Sequence, residues 1–227
     1  MADPVDKSPQ RIREMFDRIS PRYDFLNHLL SLNTDVRWRK RAVGKLGKAR
    51  RVLDVCCGTA DLALEIRRGG AEVVGVDFAG RMLALARRKS RGRVALVQGD
   101  AMRLPFRDGS FDGATVAFGI RNVADTERGV AEMARVLRPG GRLVICEFTL
   151  PANRLVRAGY RLYFSRILPK VGKWISRSEA YRYLPDSVEA WWGPEELAAM
   201  LRRHGLADAG YELLTGGVAA LHFGTRG

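Results

Sequence analysis

Apolar residues in this chain fall into two kinds of run that alternate along its length. Short, nearly continuous runs stand at residues 51–57, 72–77, 94–98, 111–118 and 142–148. They are rich in Val, Ile and Leu, as strands buried on both faces are. Between them the apolar positions recur at helical spacing. Leu62 and Ile66 form one such set, and Met82, Leu83, Leu85 and Ala86 another. A third, from Glu127 to Leu137, is stopped by Pro139-Gly140-Gly141. Strand and helix in repetition predict a parallel sheet with right-handed crossovers. The rhythm changes near the end. Pro194 opens a last helix through His204, and Gly205 closes it. Two strand-like runs, Ala209 to Thr215 and Val218 to Thr225, are joined by Gly216-Gly217. A glycine pair between strands is a hairpin signal. The expected fold is therefore α/β, with a seven-stranded, mostly parallel sheet that ends in an antiparallel hairpin.

Two segments stand outside that rhythm. Residues 1–48 contain helical patterns and no obvious strand. Ser8-Pro9 reads as a helix start, with Ser8 as N-cap and Ile12, Met15, Phe16 and Ile19 on one face. A short amphipathic stretch runs from Tyr23 to Leu30. Asp35 is expected to cap a further helix carrying Val36, Trp38, Ala42 and Leu46. This region is expected to form a helical cap over the ligand edge of the sheet. Residues 149–192 form the second segment. From Phe148 through Ser178 there is no acidic residue, while Arg154, Arg157, Arg161, Arg166, Lys170, Lys173 and Arg177 alternate with aromatic and aliphatic side chains. That pattern suits a membrane-surface segment. It also suits an ordinary lid with a solvated basic face.

Composition narrows the class. The 227 residues, 46% of them hydrophobic, suffice for one domain spanning 1–227. No apolar run is long enough to span a bilayer, and the polar N-terminus resembles no signal peptide. A cytoplasmic protein is expected, with the inner membrane face as a place of work. The net charge of +14 suggests an anionic partner, whether nucleic acid, a membrane surface or an acidic substrate, and equally suits solvated basic helix faces. No nucleic-acid module accompanies the charge, so no nucleic acid is expected. The three cysteines show no metal-ligand spacing and read as buried small hydrophobes; no metal is expected.

The chemistry is expected at strand ends, where open α/β sheets bind ligands. The first strand breaks at Gly58-Thr59, a turn where the missing Cβ admits a ligand to the backbone. The second ends in Asp77, placed as nucleotide-binding folds place the acid that accepts from a ribose diol. The third is followed by Asp100, which can accept from an adenine amino group or cap a turn. A nicotinamide-dependent oxidoreductase fits poorly, because Gly58 stands alone where Gly-x-Gly-x-x-Gly is needed.

Together these residues resemble class I S-adenosylmethionine-dependent methyltransferases, and more narrowly the quinone C-methyltransferases of menaquinone and ubiquinone biosynthesis, the UbiE/MenG/COQ5 group. The general signals are Leu53-Asp54-Val55-Cys56-Cys57-Gly58-Thr59, Gly75-Val76-Asp77, Gly99-Asp100-Ala101 and Leu137-Arg138-Pro139-Gly140-Gly141. The narrower ones are Phe16-Asp17 with Tyr23-Asp24 and Asn27, then Phe118-Gly119-Ile120-Arg121-Asn122-Val123, then Tyr181-Arg182-Tyr183-Leu184 with Ser187. The chain departs from the group at Cys57 and Ala60, where glycines are common, and at Ala117, where Ser is frequent.

The resemblance implies a Rossmann-like methyltransferase fold. It implies S-adenosyl-L-methionine, released as S-adenosyl-L-homocysteine, held by Gly58, Thr59, Asp77, Asp100, Ala101 and Ala117, with Tyr23 closing from the cap. Asp54 is expected to orient the turn or the methionine ammonium. Met82 packs on the adenine or in the core. The implied reaction is C-methylation of a prenylated hydroquinone, demethylmenaquinol first and a ubiquinone-pathway benzoquinol second. Arg121 is the expected catalytic group, stabilising a phenolate or a hydroxide, with Asn122 orienting a water or the substrate hydroxyl. The prenyl tail implies peripheral membrane association; a homodimer is left open. An RNA methyltransferase on the same fold is the competing class, and the lack of an Asn-Pro-Pro-Tyr-like run after the fourth strand speaks against it.

Overall fold

The computed structural model describes residues 6–20, 24, 28, 31–163 and 180–227, without the side chains of residues 9, 19, 180–182 and 184. Tyr23, most of the amphipathic stretch around it and the middle of the basic insertion, residues 164–179, lie outside the described residues. The elements follow in the order α1 (Pro9–Ile19), α2 (Thr34–Lys45), β1 (Arg51–Val55), α3 (Asp61–Arg68), β2 (Glu72–Asp77), α4 (Gly80–Ser90), β3 (Ala95–Gln98), β4 (Phe111–Ala117), α5 (Thr126–Val136), β5 (Leu137–Phe148), α6 (Arg154–Leu162), α7 (Ala180–Glu189), α8 (Pro194–Arg203), β6 (Leu206–Leu214) and β7 (Ala219–Arg226). Among the described residues no helix is long and apolar enough to cross a membrane.

One sheet holds all seven strands in the order β3-β2-β1-β4-β5-β7-β6. The first five pair in parallel, and β7 is inserted antiparallel between β5 and β6. The strand runs read as continuous apolar stretches because helices cover both faces. One core layer groups Leu53, Val55, Phe111, Val116 and Ile145 with Val130 and Met133 of α5 and Leu197 and Leu201 of α8. The other groups Val52, Val73 and Val144 with Trp38 of α2 and Leu62 and Ile66 of α3. The strand order reverses between β1 and β4, which makes that crevice the ligand-binding position of an open α/β sheet.

Several local expectations are corrected. Ser8 sits at the N-cap of α1, but its side chain makes no capping hydrogen bond; its N–H is held by Asp6 Oδ1 at 2.8 Å. Asp35 does not cap α2. Asn33 takes that place, and Asp35 lies buried in the first turn, accepting from Ser31 Oγ at 2.6 Å and Arg39 Nη1 at 2.5 Å. Leu137-Arg138-Pro139-Gly140-Gly141 stops α5 as expected but also opens β5, with Leu137 opposite Phe111. The Gly216-Gly217 pair turns the chain between β6 and β7 in a short 3-10 segment, both glycines at positive φ.

The most consequential correction concerns β1. It ends at Val55, two residues short of the apolar run 51–57, so Cys56 and Cys57 lie in the turn that follows it. Cys56 adopts φ +52, a left-handed conformation that is costly for a side-chain-bearing residue. Its Cβ lies where a Cβ on Gly119 would fall, at 2.4 Å, so only glycine fits at 119. Gly119→Ala is expected to destabilise the fold by about 2–3 kcal/mol through overpacking. Adding Cys56→Gly removes both the clash and the left-handed penalty. Denaturant titration of the single and double variants should then show most of the loss recovered; an equally unstable double variant would contradict the contact.

Candidate active site

The loops leaving the carboxyl ends of the strands enclose a cleft of about 830 Å³ including its open mouth, the size of a small-molecule pocket. Gly58, Asp77, Met82, Asp100, Ala101, Ala117 and Asn122 all line it. Ile12 and Phe16 of α1 line one side of it. A second, smaller chamber of about 360 Å³ is lined by Asp54, Thr59, Arg39 and Asp61, and shares Cys56, Gly58, Ala117 and Phe118 with the main cleft. Apart from Tyr23, which lies outside the described residues, the residues expected around the cofactor gather at one place, split between two adjoining chambers.

Asp77 does more than face the cleft. Its Oδ2 accepts from Gly58 N at 2.8 Å and its Oδ1 from Ala79 N at 2.9 Å. Cys57 N donates to Val76 O at 3.0 Å. The turn after β1 is therefore stitched to the end of β2, and the carboxylate that would take a ribose also sets the shape of the glycine turn. Burial pushes the Asp77 carboxyl above its ordinary value, against the backbone donors that favour its charge. Asp100 combines its two readings: Oδ1 accepts from Met102 N at 2.8 Å, and the residue still lines the cleft. Met82 is likewise both core and wall. The departures from the family pattern also find room. The Cys57 sulfur occupies the space beside Gly75, where a Cβ would lie 2.9 Å from it. Ala60 adopts φ +70 at the start of α3, a conformation glycine would hold more cheaply.

Asp54 is 1% exposed. Its Oδ1 accepts from Thr115 Oγ1 at 3.0 Å, while Oδ2 is buried with no hydrogen-bond partner. Burial raises its pKa to about 7. A buried carboxylate oxygen left unmatched beside a chamber awaits a donor or cation. Thr59 points its hydroxyl at Asp24, 2.5 Å away, and Lys89 reaches Asp24 at 2.6 Å and Asp61 at 2.5 Å. This ionic network ties the N-terminal cap to the glycine turn. Arg39 and Lys89 were invisible to motif reading, because helix-borne charges carry no signal of which face they occupy, whereas Asp61 closes the first motif, Cys57-Gly58-Thr59-Ala60-Asp61.

Arg121 is placed differently from the expectation. It is 6% exposed and does not line the cleft. Its Nη1 donates to Glu147 Oε1 at 2.7 Å and to Phe118 O at 2.6 Å, and Nε donates to Ser187 Oγ at 3.4 Å. The guanidinium lies 5.4 Å from the Phe148 ring centroid. Glu147, at the end of β5, is 1% exposed and also accepts from Phe148 N at 2.9 Å. Burial pushes its carboxyl up and the guanidinium opposes that. The physical reason for the placement is Glu147: a carboxylate this deeply buried requires a countercharge, and Arg121 supplies it. Two of the narrow sequence signatures meet here, the Phe118–Val123 run through Arg121 and the Tyr181–Ser187 run through Ser187. Asn122, next in the same 3-10 turn, does face the cleft. Its Nδ2 lies 3.5 Å from Phe118 O, and its buried Oδ1 has no partner.

The strand order, the antiparallel insertion of β7 and an acid-lined cleft at the switch point define a Rossmann-like methyltransferase fold. Among solved structures, a SAM-dependent methyltransferase from Thermotoga maritima matches with TM-score 0.67 at 20% identity, covering 94% of this chain and 99% of its own. The [4+2]-cyclase SpnF matches with TM-score 0.73 at 18% identity, covering 98% and 97%. At such identities the likeness concerns the fold alone, and a cyclase among the neighbours illustrates why. The chain belongs to the ubiE/COQ5 methyltransferase family, whose model matches residues 5–226. A demethylmenaquinone methyltransferase of Thermus thermophilus is 54% identical over 93% of this chain and 100% of its own length. A Geobacter protein named ubiquinone/menaquinone biosynthesis C-methyltransferase is 46% identical over 98% and 99%, and a demethylmenaquinone methyltransferase of Deinococcus radiodurans is 47% identical over 100% and 96%.

Proposed function

We propose that the protein transfers the methyl group of S-adenosyl-L-methionine to a ring carbon of a prenylated hydroquinone, demethylmenaquinol foremost, in menaquinone biosynthesis. The observation that carries the reading is the orphaned, buried Asp54 Oδ2 beside a cleft whose other end holds Asp77 and Asp100. A carboxylate for an ammonium, a second for a ribose diol and a third near an adenine amino group match the polar groups of that one cofactor. Bound there, S-adenosyl-L-methionine supplies an electrophilic methyl group on sulfur. The chain supplies the rest. Gly58 and Thr59 hold the methionine end, Asp77 the ribose, Asp100, Ala101 and Met82 the adenine. Ala117 lines the passage between them, and Ile12 and Phe16 exclude water. Asn122 Oδ1 accepts from the substrate hydroxyl or from a water beside it. Arg121 acts as a positioning residue, holding the loop that carries Asn122 against β5.

The names of the relatives favour a naphthoquinol ring, and the Geobacter relative's name keeps a benzoquinol as the second reading. Labelled methyl transfer to demethylated naphthoquinol and benzoquinol, side by side, tests both; incorporation into neither rejects the proposal. For a substrate with a polyprenyl tail, α6 is the membrane-facing element. Its Leu155 is 84% exposed and Leu162 51%, on a helix with Arg154 and Arg161. Sedimentation with anionic vesicles, lost in Leu155→Asp, is the expected result, and equal absence from anionic and neutral vesicles counts against it.

The Asp54 assignment makes a separate prediction. With a pKa of about 7 the carboxyl is half protonated near neutrality, and a ligand ammonium favours its charged form. Binding of S-adenosylhomocysteine should then release up to about half a proton at pH 7, and affinity should rise from pH 6 to pH 8. Calorimetry in buffers of different ionisation enthalpy reads the proton directly. Asp54→Asn should release none; release unchanged in that variant would assign the proton elsewhere.

A further inference from the structure

We propose that Lys7 is a catalytic residue whose ammonium meets the oxyanion of the ionised quinol. The inference rests on the quinol C-methylation reading and adds to it a group from the N-terminal segment ahead of α1.

The cleft poses the problem. A hydroquinone carbon becomes a strong nucleophile only when a neighbouring hydroxyl loses its proton. An anion in a water-poor cleft needs fixed positive charge aimed at it. Arg121, the cation that motif reading supplied, is turned away and engaged with Glu147. Among the described residues, the titratable side chains lining the cleft are Lys7, Cys56, Asp77 and Asp100. Asp77 and Asp100 belong to the adenosine end and are anionic acceptors. The Cys56 thiol is held far above its ordinary pKa, first by burial and then by the surrounding carboxylates. Among the described residues, Lys7 is the one cation on these walls.

Its surroundings suit the role. Lys7 is half-buried, and its Nζ stands 5.7 Å from the Trp191 ring centroid. No carboxylate forms an ion pair with it among the described residues. The charges that act on it are those of Arg121 and Glu147, already paired with each other, and Asp6 beside it is taken by Ser8 and Arg11. Burial, followed by Arg121, makes its ammonium more acidic than usual, which is the mark of a cation short of a counterion. Ile12, Phe16 and Val123 line the same cleft and offer apolar faces to a fused ring, and Asn122 Oδ1 is an unpartnered acceptor, more than nine-tenths buried, on the same walls.

The chemistry balances without a further reagent. The hydroxyl hydrogen-bonds to Asn122 Oδ1, and its proton passes to water as the oxyanion comes to rest on the Lys7 ammonium. The ring carbon forms its bond to the methyl group while the carbon–sulfur bond breaks, leaving that electron pair on sulfur. The ring carbon then loses its hydrogen to water and regains aromaticity. The oxyanion takes a proton back, so one proton is released per turnover and Lys7 stays charged throughout.

The test uses the full chain with Lys7→Met, which keeps the apolar stem, and Lys7→Arg, which keeps the charge. Turnover of demethylated naphthoquinol and calorimetric affinity for S-adenosylhomocysteine are measured on each. Loss of one oxyanion donor typically costs about 100- to 1,000-fold in kcat. Lys7→Met should show a loss of about that size, Lys7→Arg should retain most of the activity, and both should bind S-adenosylhomocysteine within about threefold of the parent. Near-parental turnover in Lys7→Met overturns the proposal. So does a matching loss of S-adenosylhomocysteine affinity, which would place Lys7 on the cofactor instead. Failure of the parent protein to methylate either quinol is a different result: it removes the quinol reading and this proposal with it.

Discussion

Asp77→Ala should weaken S-adenosylhomocysteine binding by about 100-fold or more, the largest loss expected for any residue on the cleft wall. An ionised carboxylate has about four acceptor positions. Two are used by Gly58 N and Ala79 N, which leaves two for the ribose hydroxyls. Hydrogen bonds to a charged acceptor contribute about 1.5–3 kcal/mol each, so losing both exceeds the 2.7 kcal/mol that corresponds to about 100-fold. The variant also strands the Gly58 N–H and loosens the turn at the methionine end, so the two effects reinforce each other. Asp77→Asn should be nearly as damaging. Its amide has one acceptor oxygen for the two backbone donors, and its NH2 group must face a donor. Calorimetry with S-adenosylhomocysteine, alongside the melting temperature of each variant, separates lost ligand contacts from lost stability. Binding by Asp77→Asn within threefold of the parent would remove Asp77 from the ribose site.

Asp77 marks where sequence reading succeeds and where it stops: its place on the cleft wall was legible, its bonds to Gly58 and Ala79 were not. The strands were legible because a sheet covered on both faces demands continuous apolar runs, and the hairpin because Gly216 and Gly217 adopt positive φ. Asp77 and Asp100 were legible because a strand end is a fixed place in a parallel sheet. The end of β1 was misplaced: Val55, Cys56 and Cys57 are all small and apolar, and nothing in their composition announces the left-handed turn at Cys56. There Cys56 packs closely against Gly119, just beyond β4, a tertiary contact. The Arg121 motif was found, but its direction was not. A motif gives the identity of a side chain at a turn, while its orientation follows from Glu147, far along the chain and ordinary in its local sequence. Lys7 and Arg39 escaped for a related reason. In a chain with 39 Lys and Arg residues, a single cation on a cleft wall has no compositional contrast.

Glu147→Ala should destabilise the protein by about 3–5 kcal/mol, because it leaves the Arg121 guanidinium buried without its partner. Arg121→Ala should cost a similar amount at neutral pH for the converse reason, with a pH dependence that identifies the cause. Burial already raises the Glu147 carboxyl, and removing the guanidinium raises it further. A carboxyl whose folded pKa lies above its unfolded value binds more protons when folded. The Arg121→Ala variant should therefore be most stable in mild acid and lose stability as the pH rises from the ordinary glutamate pKa towards the raised one. Denaturant titrations at pH 5 and pH 8 read that difference directly. Arg121→Met combined with Glu147→Gln should be more stable than either single replacement, with a coupling of at least about 2 kcal/mol in the double-mutant cycle. Additive losses would mean that the ion pair does not carry the effect. The same cycle decides how inactivity at position 121 is to be understood. Loss of turnover in Arg121→Ala alone does not identify a group acting on the substrate, since the variant also frees the loop that carries Asn122. If the arginine works by holding that loop against β5, the double variant recovers kcat together with stability, at least about tenfold above Arg121→Ala when compared as folded protein. If stability returns and kcat does not, the guanidinium itself must reach the quinol during turnover, and the pairing with Glu147 would be a resting arrangement that the substrate breaks.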